Sequence, residues 1–353
     1  MSRLFEPLQL GRIGLANRIV MAPMTRSRAS SRAVPTDLMV EYYRQRAGAG
    51  LIVSEGTAPS RHGIGYCRTP GVYDAEQIGA WRRVTDAVHA AGGCMVLQLM
   101  HCGRVCSRHN KAEDAETVAP SAVRAAVRLY TDAAGMQECE MPRALALTEI
   151  PRVVDEYGSA GASARAAGFD GVELHCTSGY LPMQFLASNT NLRRDAYGGS
   201  ASNRARFVIE TLEALCGAVG ADRVGVRICP GNPFNDVLDP DPAETYGTLL
   251  AGIRHLNIAY LHVIRSPLAG FDAFAFTRAR FDGPLVLNDG FDLGSAVAAV
   301  AADPAVAVSF GRHFIGNPDL VRRMREGLPL AGFDHKTLYS AGAAGYTDYP
   351  AVS

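Results

Sequence analysis

Residues 284–309 read PLVLNDGFDLGSAVAAVAADPAVAVS. Two short apolar runs, 284–288 (PLVLN) and 305–309 (AVAVS), flank one helical pattern that Asp292 opens. Neither run alternates polar with apolar, as a half-exposed strand would. Near-continuous apolar character marks a parallel strand covered on both faces. Parallel strands need a long crossover, and the stretch between these two has the length of one helix.

The same unit recurs upstream. Apolar runs stand at 18–24 (RIVMAPM), 50–55 (GLIVSE), 94–99 (CMVLQL), 171–175 (GVELH), 224–228 (VGVRI) and 259–264 (AYLHVI). Helical patterns separate them. One starts at Thr36 and stops at Gly48-Ala-Gly50, and another starts at Asp74 with Gln77 at capping-box spacing. Residues 151–167 end at Gly168, and 203–217 form a strong helical pattern. Asp241-Pro-Ala-Glu244 combines a cap, a proline at the first helical position and a capping acid, and Asn317-Pro318 opens the last helix. Eight strands alternating with helices predict an α/β fold, a (β/α)₈ TIM barrel spanning 1–353 as a single domain. An open doubly wound sheet is the alternative, but its glycine fingerprint is missing.

Two segments break the alternation. Residues 102–150 form a loop or hairpin insertion after strand three, and 229–240, with Pro230, Pro233 and Pro240, follow strand five. Both leave strand C-termini, so both are expected to cover the face where barrel active sites sit. The Gly- and Tyr-rich tail 332–353 is expected to pack there too.

Composition excludes several function classes. Thirty-five Lys plus Arg balance 35 Asp plus Glu, without a basic stretch, which argues against a nucleic-acid partner. Hydrophobic residues at 48% suit a large core rather than a disordered chain. No apolar run has the length of a membrane span, and the start MSRLFEP is not a signal peptide, so a cytoplasmic protein is expected. The eight cysteines form no CxxC pair, and no metal site is expected. P-loop, GxGxxG, HExxH and GxSxG patterns are absent.

Polar residues at or just beyond the strand ends should point to the barrel mouth. They are Thr25, Glu55, Gln98, His101, His175, Arg227, Asn288 and Arg312. This is a hydrogen-bonding set with two cations and no carboxylate pair. It suits an extended, polar, planar ligand with an anionic tail. Strands seven and eight end in Asn288-Asp-Gly290 and Phe310-Gly311-Arg312, where barrels often hold phosphate.

In order and spacing, several motifs resemble the old yellow enzyme family of FMN-dependent ene-reductases. They are 17–25 (NRIVMAPMT), 98–104 (QLMHCGR), 171–175 (GVELH), 191–199 (NLRRDAYGG), 203–207 (NRARF), 310–312 (FGR) and 317–319 (NPD). The likeness runs from Leu4 to Pro350. It implies tightly bound, non-covalent FMN, with NADPH or NADH as reductant and an enone-type small molecule as substrate. It leaves a monomer or a homodimer open. By the same resemblance Ala22, Pro23, Met24, Thr25, Gly56, Gln98 and Arg227 would contact the flavin ring. Asp289, Gly290, Gly311 and Arg312 would hold its phosphate. Tyr66, Met100, Phe234 and Tyr346 would line the substrate pocket.

The catalytic set implied is His175, Ser178 and Tyr180. In the family a His, and a second His or Asn three residues on, grip the substrate's carbonyl oxygen. Hydride then passes from flavin N5 to the alkene, and a Tyr two residues further gives the proton. His175 and Tyr180 match this pattern, but Ser178 does not. That departure keeps a second expectation open: a specialised biosynthetic flavoenzyme (reductase, isomerase or dehydrogenase) with an altered oxygen grip. A third is a flavin-binding barrel that has lost catalysis. Met100 stands where relatives commonly carry Trp, and Asp289 where Gly is frequent.

Overall fold

The structure, a computed structural model, describes residues 2–352. Eight parallel strands close into a barrel: β1 (Ile19–Met21), β2 (Leu51–Val53), β3 (Met95–Leu99), β4 (Gly171–Cys176), β5 (Val224–Ile228), β6 (Tyr260–Ile264), β7 (Leu285–Asn288) and β8 (Val306–Phe310). The barrel expected from the sequence is the fold found. Closure comes from β8 against β1, where Val308 pairs with Ile19 and Phe310 with Met21.

Around it lie α1 (Asp37–Gln45), α2 (Ala75–Ala90), α3 (Ile150–Ala166), α4 (Ala201–Val219), α5 (Pro242–Ile253), α6 (Ala273–Arg278), α7 (Leu293–Ala302) and α8 (Leu320–Glu326). Their starts follow cap chemistry. The Asp74, Asp241 and Asp292 carboxylates accept from the backbone N–H three residues on, which pairs an otherwise orphaned helix donor. The last helix begins two residues later than Asn317-Pro318 suggests. Asn317 instead fixes the segment beyond α8, donating to Ala331 O and accepting from Ala331 N.

A hairpin not read from the sequence, Leu8–Leu10 with Ile13–Leu15, closes the N-terminal end of the barrel. Leu10, Ile13 and Leu15 join Val20, Val53, Val96 and Val286 in one buried cluster. That end is thus sealed, and the opposite end remains for chemistry.

The insertion 102–150 carries an antiparallel hairpin, Arg128–Thr131 with Gly135–Glu138. The tail has no long element and is held by buried arginines. Arg28 donates to the carbonyl oxygens of Thr337, Leu338, Gly342 and Ala344, and Arg26 to those of Leu338 and Gly345.

Candidate active site

The strand C-termini open into a cavity of about 710 Å³, within the range of small-molecule sites. Pro23, Met24 and Thr25 reach it from the end of β1, and Gly56 from beyond β2. Gln98 and Met100 come from β3 and its end, Arg227 from β5, and Arg312 from beyond β8. His175, Ser178 and Tyr180 stand at or beyond the end of β4, and Tyr66 and Phe234 complete this part of the wall. Ala22 and Gly311 lie directly behind: a Cβ on Gly311 would sit 3.4 Å from Met24 Sδ and 3.9 Å from Ala22 Cβ.

His175 is nearly buried, and burial first, then the Arg227 charge, push its pKa down to about 3. The ring is neutral at ordinary pH. Thr177 N–H approaches Nδ1 at 3.3 Å. A backbone N–H can only donate, so Nδ1 accepts and the proton resides on Nε2. The ring of Tyr180 lies edge-on to His175, with centroids 4.7 Å apart. The Tyr180 hydroxyl donates to that of Tyr66 at 3.0 Å, and burial raises its pKa well above the phenol value. Tyr180 therefore keeps its proton.

Ser178 has a left-handed backbone, φ 55°. Its hydroxyl lies 3.1 Å from Thr177 Oγ1, and its carbonyl accepts from Asn235 Nδ2 at 2.8 Å. The turn is thus pinned from the loop after β5.

On the adjacent strand β5, paired with His175, Arg227 is buried, and Nη2 donates to Asn288 Oδ1 at 2.6 Å. Its Nε has no hydrogen-bond partner among the described residues. An unpaired buried donor beside a cavity fits a ligand acceptor. Gln98 Nε2 donates to Glu173 Oε1 at 2.8 Å.

At the β7–β8 mouth, Asp289 and Gly290 are both left-handed, φ 79° and 75°. Glycine adopts that conformation without steric cost, whereas Asp289 is strained. The Asp289 carboxylate turns toward Arg312, Oδ1 to Nη2 3.8 Å, and both groups are exposed.

Other residues lie elsewhere than the sequence suggested. Tyr346 does not line the cavity: it is fully buried, stacked on Tyr42 at 4.0 Å, with the Arg26 and Arg28 guanidinium groups over its ring. Glu55 and His101 are also fully buried and outside the lining. Glu55 takes the Arg26 N–H and the Tyr43 hydroxyl instead. Residues past a strand end are free of the strand's two-residue alternation, so parity does not aim them. Lining residues that the sequence reading missed include Asn235, Arg128 and Tyr130 of the insertion hairpin, and Phe333, Leu338 and Tyr339 of the tail. The general expectation that these segments cover this face was their only signal.

Known proteins share this chain's sequence and fold. Residues 3–331 match the NADH:flavin oxidoreductase / NADH oxidase family. A probable flavin mononucleotide-dependent alkene reductase of Leishmania infantum is 41% identical, covering 98% of this chain and 97% of that protein. A chanoclavine-I aldehyde reductase of Penicillium roqueforti (strain FM164) is also 41% identical, over 99% of this chain and 96% of the relative. The solved structure of morphinone reductase in complex with tetrahydroNAD superposes with a TM-score of 0.95 at 41% identity, over 100% of this chain and 98% of that one. No helix among the described residues is long and apolar enough to cross a membrane. A (β/α)₈ barrel with a small-molecule cavity at its strand C-termini, matched over nearly its whole length by the family model and by these reductases, admits one assignment: the chain belongs to the NADH:flavin oxidoreductase / NADH oxidase family and is an FMN- and NAD(P)H-dependent oxidoreductase.

Proposed function

We propose that the protein reduces the activated C=C bond of an α,β-unsaturated carbonyl compound, with His175 and Tyr180 as its catalytic residues. The pairing of these two rings on one cavity wall carries the reading: a neutral imidazole with its proton on Nε2, edge-on to a phenol that stays protonated. Nε2–H would donate to the substrate oxygen and draw charge from the alkene. The Tyr180 hydroxyl would give the proton that completes reduction. Ser178, on the same turn, would supply a shorter second donor.

The residues present fit FMN. Arg227 Nε offers an unpaired donor to an electron-rich ring edge, and Gln98 brings an amide to the same wall. Thr25, Ala22, Pro23, Met24 and Gly56 would border the ring. Arg312, Gly311, Gly290 and the Asp289 backbone would hold the phosphate. Bound FMN supplies the hydride, received from NAD(P)H. Tyr66, Met100 and Phe234 would face the substrate.

A second reading, a specialised biosynthetic flavoenzyme, draws on Ser178 and on the likeness to a chanoclavine-I aldehyde reductase. Anaerobic reduction of the FMN form by NADPH, followed by oxidation with enones, nitroalkenes and quinones, separates the two. Rapid reoxidation by simple enones supports the general ene-reductase. Reoxidation by none of them favours the specialised enzyme, and a protein that refuses FMN refutes both. All eight cysteines are free thiols, which supports a reducing, cytoplasmic location. A monomer or homodimer is expected by light scattering.

A further inference from the structure

Beneath the cavity, one hydrogen-bond chain joins Gln98 to Arg227 through the barrel interior. Gln98 Nε2 donates to Glu173 Oε1 at 2.8 Å. The other carboxylate oxygen lies 2.9 Å from His262 Nδ1 and accepts the Tyr260 hydroxyl at 3.0 Å. His262 Nε2 lies 2.8 Å from Ser309 Oγ. Asn288 Nδ2 donates to Ser309 O at 3.2 Å, and Asn288 Oδ1 accepts from Arg227 at 2.6 Å. Glu173 and His262 are completely buried, and neither lines the cavity.

This is a built layer. Glu173, His262 and Ser309 come from the alternate strands β4, β6 and β8, the pattern by which a barrel interior is filled. Gly225 on β5 makes room for it: a Cβ there would lie 2.3 Å from the Tyr260 ring. Branched apolar residues ordinarily fill such a layer. A buried ion costs several kcal/mol of desolvation, so a charged layer is no gain for stability alone.

Its chemistry acts on the two residues at its ends. A carboxylate can only accept, so Glu173 fixes the Gln98 amide with its NH₂ group inward and its carbonyl free for the cavity. Burial opposes the Glu173 charge, but the charges and hydrogen bonds of His262, Arg227 and Gln98 outweigh it and hold the carboxyl below its usual range. An ionised Glu173 therefore lies in the field of Arg227.

We propose, building on the FMN reading above, that Glu173 is a positioning residue that orients Gln98, offsets the Arg227 charge and so sets the preference of the site for reduced over oxidised FMN. Reduction places negative charge on the flavin ring. Arg227 favours that charge and Glu173 opposes it. His262, Tyr260 and Gln98 are the donors that moderate the opposition.

The test is the Glu173→Gln holoenzyme. Gln at 173 keeps the contacts to Gln98 and His262: Oε1 accepts from Gln98, and Nε2 donates to His262 Nδ1 and to the Tyr260 oxygen, whose own proton loses its acceptor. The His262 proton then moves to Nε2, and the Ser309 hydroxyl turns to Leu287 O, 3.3 Å away. The variant loses the charge and the acceptor of the Tyr260 hydroxyl but keeps the link from Gln98 to His262. The ratio of oxidised to reduced FMN dissociation constants should rise about tenfold, a midpoint shift of about +30 mV for two electrons. Tyr260→Phe keeps the carboxylate but removes one donor, so its shift should have the opposite sign. That second variant keeps the proposal testable if Glu173→Gln does not fold. Dye-equilibrated anaerobic titration reads the potential, and fluorescence reads FMN affinity. Variants that bind FMN, with lowered thermal stability but an unchanged potential, would reduce Glu173 to a packing role and overturn the proposal. A wild-type protein that binds no FMN overturns the flavin reading itself.

Discussion

Ser178→Asn offers the sharpest test of the substrate-oxygen grip. Residue 178 has φ 55°, where Asn settles more readily than Ser, so the backbone does not resist the change. The present hydroxyl is already engaged 3.1 Å from Thr177 Oγ1. An Asn carboxamide reaches further into the same cavity and brings two N–H donors. A hydrogen bond to an oxygen gaining negative charge is worth about 1.5–3 kcal/mol. If it forms only as the oxygen gains charge, kcat/KM rises roughly 10- to 150-fold. The assay is steady-state reduction of cyclohexenone, beside stopped-flow reduction of the flavin by NADPH. The first rate should rise and the second stay within about twofold. A variant with native FMN content and melting temperature, but unimproved enone turnover, refutes the claim that residue 178 faces the substrate oxygen.

Three further outcomes follow from the geometry. Tyr180→Phe should lower enone turnover by about 10²- to 10⁴-fold while flavin reduction by NADPH persists, measured by separate half-reactions. Arg28→Ala deletes the donors that hold four tail carbonyl oxygens. It should cost about 2–4 kcal/mol by urea unfolding and open the segment from residue 332 to proteolysis. Burial raises the Glu55 pKa to about 7 in the folded protein, above its unfolded value. The native state then holds the extra proton, so stability falls as pH rises from about 4.5 to 7, by a few kcal/mol at most. Glu55→Gln should flatten that slope in melting curves at pH 5 and 8.

Legibility of the sequence followed locality. The barrel strands are buried on both faces, so their apolar runs stood out without any partner being known. The caps at Asp74, Asp241 and Asp292 are contacts over three residues, and their spacing announced them. The insertion hairpin was harder, because Arg128–Thr131 and Gly135–Glu138 are half exposed and carry few core residues. The tail was harder still. Its shape comes from Arg26 and Arg28, some three hundred residues upstream, and no local pattern encodes that. Tyr346 shows the same limit: its motif match survives, but its ring stacks on Tyr42 rather than facing the cavity. Glu173 and His262 did not stand out, because each is a lone polar residue enclosed in an apolar strand run.

The pairing of β8 with β1 also sets a timetable. Residues 19–21 are made well before their partner strand, 306–310. At about 5–20 residues per second, the first strand waits roughly 15 to 60 seconds for its neighbour. Throughout that interval it is an open sheet edge, the kind that recruits unwanted partners. The wall that Phe333, Leu338 and Tyr339 add arrives later still. A nascent chain interrupted before this point carries most of the site's motifs and no finished pocket. Cofactor supply thus matters to the released protein, and coexpressed chaperones should raise yield before added riboflavin does.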